Sequence, residues 1–155
     1  MICFAAGGRV NSTRSIPIGL YWITDSPVTK NAYVIFCPPV SPVFDEARDR
    51  GYISAGYCPG GYGFMMKRVL ATGNDHIEMT DQGMHINGKL LLASRPLNVD
   101  KGGRAMPRYP ESSYTLRNTE SLLMSDVSGT SFDSRYFGPV QTSQILSVIR
   151  PVFTW

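Results

Sequence analysis

A mainly β chain, built from short antiparallel strands with one or two short helices, is the fold class the sequence predicts, and three observations predict it. The 155 residues are 43% apolar and only 17% charged, enough apolar material for one globular domain over residues 1–155. Fifteen glycines and eleven prolines interrupt the chain too often for long helices. Between those breaks the residues are aromatic or β-branched, the types that fit a pleated surface.

In chain order, "GLYWIT" and "NAYVIFCPP" read as strands separated by the polar turn "DSPVTK". "SPVFDEARDRGYI" is the best helix candidate, because Phe44, Ala47 and Arg48 follow the 3.6-residue period before Gly51; so short a helix is expected to be superficial. "YGFMMKRVLATGND" reads as a strand running into a turn. "HIEMTDQGMHINGKLLL" reads as successive hairpins turning at Gln82-Gly83 and Asn87-Gly88. Residues 93–113 mix proline, glycine and charge without a period, as an exposed extended segment or a mobile loop does. "SYTLRN", "SLLMSDV" and "SQILSVIRPVFTW" supply the remaining strands.

Charge and cysteine content exclude some functions. The net charge of +3 is spread along the chain and no basic helical face is formed, so no nucleic-acid partner is expected. Two histidines and three cysteines without metal-ligand spacing predict no metal site, and no cofactor motif occurs. No segment reaches the roughly 20 apolar residues of a membrane span. The opening "MICFAAGG" reads either as the end of an apolar anchor or as a frayed terminus. Cys37 and Cys58 each precede a proline at a turn-like place; in an oxidising compartment they would form a disulfide, leaving Cys3 unpaired.

Chemistry enters at three places. Lys67 lies inside "FMMKRVLA", where alternation sets Met65, Lys67 and Val69 on one face and Phe64, Met66, Arg68 and Leu70 on the other. On an edge strand both cations reach water. In a covered strand an ammonium is desolvated, which lowers its pKa and makes the amine a general base. The second place is Ser15 in "NSTRSIPIGLYW", a nucleophile or an ordinary polar turn, and the third is "SGTSFDSRYFGPV", around Asp133 and Arg135. A serine beside a neutral lysine is a complete nucleophile and base pair, so the scarcity of histidine is no obstacle.

Taken together, "STRSIPIGLY", "MMKRVLATGND" and "SFDSRYFGPV" resemble, in this order, the motifs of the type I signal peptidase family, and "HINGKLL" resembles its Asn-Gly hairpin. Within that family the chain is most similar to the TraF-type conjugative-transfer peptidases, through "RSIPIGLYW", "CPGGYG", "MMKRVL" and "SFDSRYFGP". The resemblance implies an antiparallel β-sheet or barrel core and a serine peptidase at the periplasmic face of the bacterial inner membrane, held there by an anchor. Its implied partner is a peptide, the membrane-associated precursor of a conjugative pilin subunit, which the acyl-enzyme can release as a cyclic product.

The resemblance also implies roles for residues. Ser15 is the nucleophile and Lys67 the base, while the Ser15 backbone N–H and the Thr13 hydroxyl hold the oxyanion. Ser131 orients the lysine, and Asp133 pairs with Arg135 or sits near Lys67. Ile16, Leu20 and Met66 are the expected walls of a shallow substrate pocket. "STRSIPIG" and "SDVSGTS" depart from the usual signal peptidase motifs, which favours a specialised substrate over general preprotein cleavage. Two rival readings are a noncatalytic β scaffold and a self-cleaving repressor, and the second lacks the helix-turn-helix pattern it would need.

Overall fold

The computed structural model describes residues 5–155, so Cys3 and the first half of "MICFAAGG" lie outside the described residues. Strands β1 (Gly8–Asn11), β2 (Gly19–Thr24) and β3 (Tyr33–Phe36) lead into helix α1 (Pro42–Asp49). Then follow β4 (Ala55–Cys58), β5 (Met65–Thr72), β6 (His76–Thr80), β7 (Gly83–Ile86), β8 (Lys89–Leu90), β9 (Ser113–Thr115) and β10 (Glu120–Met124). Helix α2 (Ser134–Phe137), β11 (Val140–Gln141) and the long β12 (Ile145–Thr154) complete the chain. The mainly β expectation holds: the strands form a curled antiparallel half-barrel.

Seven strands form the larger sheet in the order β1-β2-β12-β3-β5-β10-β11, and four form the smaller one, β8-β7-β6-β9. The position of β5 matters most. It lies inside the sheet, paired with β3 along Met65–Arg68, Val34 opposite Lys67, and with β10 along Arg68–Thr72, so Lys67 has a strand partner on the β3 side and stands just before the β10 ladder begins. Its two faces feed different clusters: Met65 and Val69 enter the main core, while Met66 packs with Ile16, Tyr21, Ile35 and Ile149.

Two expectations need correction, and a third, the exposed extended segment, is met. Helix α1 is short but not superficial, because Phe44 and Ala47 are buried in the main core against Tyr62, Phe132 and Phe137. The β6–β7 turn is Asp81-Gln82, with Gly83 already paired to Thr80. Gly83 serves a close approach instead, since a Cβ there, at φ 138°, would stand 2.5 Å from Ser94 Oγ. Residues 93–113 run extended and largely exposed, and are fastened where Arg135 donates to the carbonyls of Ala93 and Arg95 and where Leu97 N donates to Tyr136 Oη.

Cys37 and Cys58 form a disulfide, with Cα atoms 5.5 Å apart across 21 residues of sequence. It ties the end of β3 to the end of β4, enclosing α1. Closing a loop of this size stabilises by about 3 kcal/mol through the unfolded state. Replacing both cysteines by alanine is expected to lower the Tm by about 10 °C, read by calorimetry; an unchanged Tm would show that packing alone holds α1.

Candidate active site

Ser15 lies in the connection between β1 and β2, in a loop held by hydrogen bonds to the carbonyls of Thr13, Ile16, Pro17 and Ile18. Asn11, buried at the end of β1, donates from Nδ2 to the carbonyls of Thr13 (2.7 Å), Ile16 (3.0 Å) and Pro17 (3.1 Å). Tyr21 Oη also donates to Pro17 O, at 2.6 Å, and Trp155 N donates to Ile18 O, at 3.0 Å. At the foot of the loop a Cβ on Gly19 would stand 2.2 Å from Phe153 O, so only glycine admits β12 this close. The loop turns Ile16 into the core, fully buried, and leaves Ser15 half-buried at the surface.

Lys67 reaches this loop from β5. Its Nζ lies 2.8 Å from Ser15 Oγ and 2.7 Å from Ser131 Oγ, and Ser131 Oγ lies 3.3 Å from Ser15 Oγ. The lysine is 3% exposed. Burial pushes its pKa down from 10.5 to about 8; the Asp133 carboxylate opposes that shift and the Arg135 guanidinium adds to it. When the amine is neutral, it donates to one hydroxyl and accepts a proton from the other.

Asp133 and Arg135 form an ion pair with both side chains fully buried, Arg135 Nε 2.8 Å from Asp133 Oδ1. Of the two arrangements open for Asp133, pairing with Arg135 is the direct contact; Lys67 feels it only through its field. Asp133 also caps α2 by accepting from Arg135 N, and it accepts from Ser125 N. Arg135 spends its remaining donors on carbonyls of residues 93, 95, 128 and 129. The pair therefore fixes the segment that presents Ser131.

Two clefts meet at Ser15. One, of about 490 Å³, runs past Val10, Phe64 and Met66; the other, of about 450 Å³, runs past Tyr52, Leu97, Met106 and Phe132 under a rim of Arg14, Lys101 and Arg104. Thr13 and Ser15 line both. Of the three expected pocket residues only Met66 lines a cleft. Ile16 is core, and half-buried Leu20 faces Val10 and Phe153 across the sheet. Hydrophobicity near a serine could not separate these three, because the turn decides which side chain points inward. Asn11 was missed: its only sequence signal is a polar residue at a strand end.

Because the folded pKa of Lys67 lies below its unfolded value, folding is penalised where only the folded state forces the charge into a dry site. That penalty is present below about pH 8 and is relieved as pH rises toward 10.5. Relative to Lys67→Met, the wild-type chain is expected to gain about 2 kcal/mol of stability from pH 7 to 9.5. Denaturant titrations of the two proteins at matched pH measure this difference, and a constant difference would mean that Lys67 is not desolvated.

Residues 8–155 match the family model described as signal peptidase, peptidase S26. The chain is 62% identical over 152 residues to a plasmid transfer protein TraF from Escherichia coli, covering 98% of this chain and 85% of that protein. It is 40% identical over 151 residues to a conjugal transfer protein TraF from Agrobacterium tumefaciens, covering 96% and 84% of the two chains. Among solved structures, a signal peptidase I from Enterococcus faecalis superposes with a TM-score of 0.47 at 18% identity, covering 82% of this chain and 100% of that one. By the extent of the family match and the identity to these relatives, the chain belongs to the signal peptidase family, peptidase S26.

Proposed function

We propose that the chain is a serine endopeptidase working through a Ser15–Lys67 dyad, and that its substrate is the precursor of a conjugative pilin subunit. The observation that carries the first part is the buried lysine amine 2.8 Å from a serine hydroxyl at the junction of two open clefts. A noncatalytic scaffold would have no use for that costly placement. The conjugal transfer names of the relatives support the second part.

In this mechanism neutral Lys67 takes the Ser15 proton as Oγ attacks the scissile carbonyl, and returns it to the leaving amine as the acyl-enzyme forms. Ser131 holds Nζ in line. The Ser15 N–H and the Thr13 hydroxyl stabilise the oxyanion. The acyl-enzyme is then resolved either by water or by the substrate's own amino terminus, giving a linear or a cyclic product. Peptide laid along the clefts as an added strand supplies binding. The disulfide and the family together support a working place at the periplasmic face of the inner membrane, where a membrane-associated precursor is at hand.

Coexpression with a candidate pilin precursor, followed by mass spectrometry, tests this reading. Ser15→Ala and Lys67→Ala are each expected to lose about 10³-fold or more, because nucleophile and base act as a unit. Substantial processing by either variant would overturn the dyad, and an unaltered precursor mass with the wild-type chain would overturn the substrate. Since the base must be deprotonated, kcat/KM is expected to rise with pH and level off above about 8. A profile flat between pH 6 and 9 would remove Lys67 as the base.

A further inference from the structure

The contacts of Asn11 carry more than loop stability. Its amide orientation is fixed, because backbone carbonyls only accept and three of them face Nδ2. The amide oxygen therefore faces Thr13, where it accepts from the backbone N–H at 3.1 Å and from the hydroxyl at 2.9 Å. An amide oxygen has no proton to give, so the single Thr13 hydroxyl proton points at Asn11. A hydroxyl so engaged is not yet aimed at an oxyanion.

We propose that Asn11 is the positioning residue of the oxyanion site, pinning the loop that carries Ser15 through its amide nitrogen and holding the Thr13 hydroxyl ready through its amide oxygen. This rests on the reading of Ser15 as nucleophile and Thr13 as oxyanion donor. Rotation about the Thr13 Cβ–Oγ1 bond turns the proton from Asn11 Oδ1 toward developing negative charge. Asn11 Oδ1 is not stranded by that rotation, since it keeps the Thr13 N–H. The buried acceptor thus stays satisfied in both states, which keeps the rotation cheap.

The nitrogen end is equally specific. Nδ2 has two protons for three oxygens, so one proton is shared. Pro17 O has a second donor in Tyr21 Oη, which leaves the carbonyls of Thr13 and Ile16, on either side of Arg14-Ser15, as those that Asn11 serves most directly. Asn11 itself stands opposite Gly19 in the β1–β2 ladder and is 4% exposed, so its side chain is held from below by the sheet. It touches no reacting atom and acts through Thr13 and the Ser15 backbone.

A double-mutant cycle in the full chain tests the proposal, with kcat and KM measured on one peptide substrate and each protein normalised by titration of Ser15 with an acylating inhibitor. Asn11→Ala is expected to lower kcat by about 100- to 1,000-fold, the order seen when an oxyanion donor is lost, with KM changed less than about threefold. Thr13→Val is expected to do the same, and the double variant to be no more than about threefold worse than the worse single one, because the two residues act through one group. The near-isosteric Asn11→Asp serves if Asn11→Ala yields no titratable enzyme. Its carboxylate retains the Thr13 hydroxyl more strongly and offers the carbonyls no proton, so kcat should fall comparably.

Effects that multiply in the double variant, or an unchanged kcat per titrated site in both Asn11 variants, would overturn the role and leave Asn11 as a folding residue. A wild-type chain that the inhibitor does not label at Ser15 would overturn the functional reading itself, and this inference with it. Normal wild-type labelling with an inert Asn11 would overturn only the inference.

Discussion

A lysine amine held in a dry site between two serine hydroxyls is the constraint on which the rest of the structure depends. Lys67 pairs with Val34 of β3 and shares a face with Met65 and Val69 of the main core, and it is 3% exposed. An ammonium placed there without compensation would cost several kcal/mol. The fold supplies two hydroxyl contacts and, behind them, a carboxylate whose field is opposed by that of its own guanidinium partner. Desolvation dominates, and the amine loses its proton near pH 8 rather than 10.5.

That opposition has a structural side. A lone Asp133 near Lys67 would restore the ammonium, whereas a lone Arg135 would depress it further and leave a buried charge unpaired. Joined, they are electrically modest and mechanically strong. Arg135 reaches carbonyls on two separate segments, residues 93–95 and 128–129, while Asp133 holds Ser125 N and the first turn of α2. Removing one member of such a pair typically costs roughly 3–5 kcal/mol through the charge left behind. Ser131 sits between these anchor points and inherits their rigidity.

The loop that carries Ser15 shows the same economy. Seven residues separate β1 from β2 (12–18), and the loop is closed from three directions: by Asn11 from its start, by Tyr21 from the strand it enters, and by Trp155 from the end of β12. Rigid placement at a site formed by loops needs such outside support, because a loop cannot satisfy its own backbone. The two clefts then differ in character: one is lined by apolar side chains and hydroxyls around Met66, the other carries cations at its rim.

Much of this was legible from residue order. Runs such as "GLYWIT" and "ESLLM", the Asn87-Gly88 turn and the prolines after Cys37 and Cys58 are local signals, and local sterics are what they report. Lys67 stood out because a cation interrupts an apolar alternation, and motif order linked it to Ser15 and Ser131 across 52 and 64 residues. Sequence by itself thus determined the strand material, the Asn87-Gly88 turn and the three chemical segments. Only the tertiary structure decided that Lys67 is buried, that Cys37 meets Cys58, that Ile16 is wholly core while Met66 of the same cluster also borders a cleft, and that Asn11 pins the loop. Those outcomes depend on which distant strands flank a residue. Pairing across a sheet is a long-range choice, and a period of two along one strand says which residues share a face but not what will cover it.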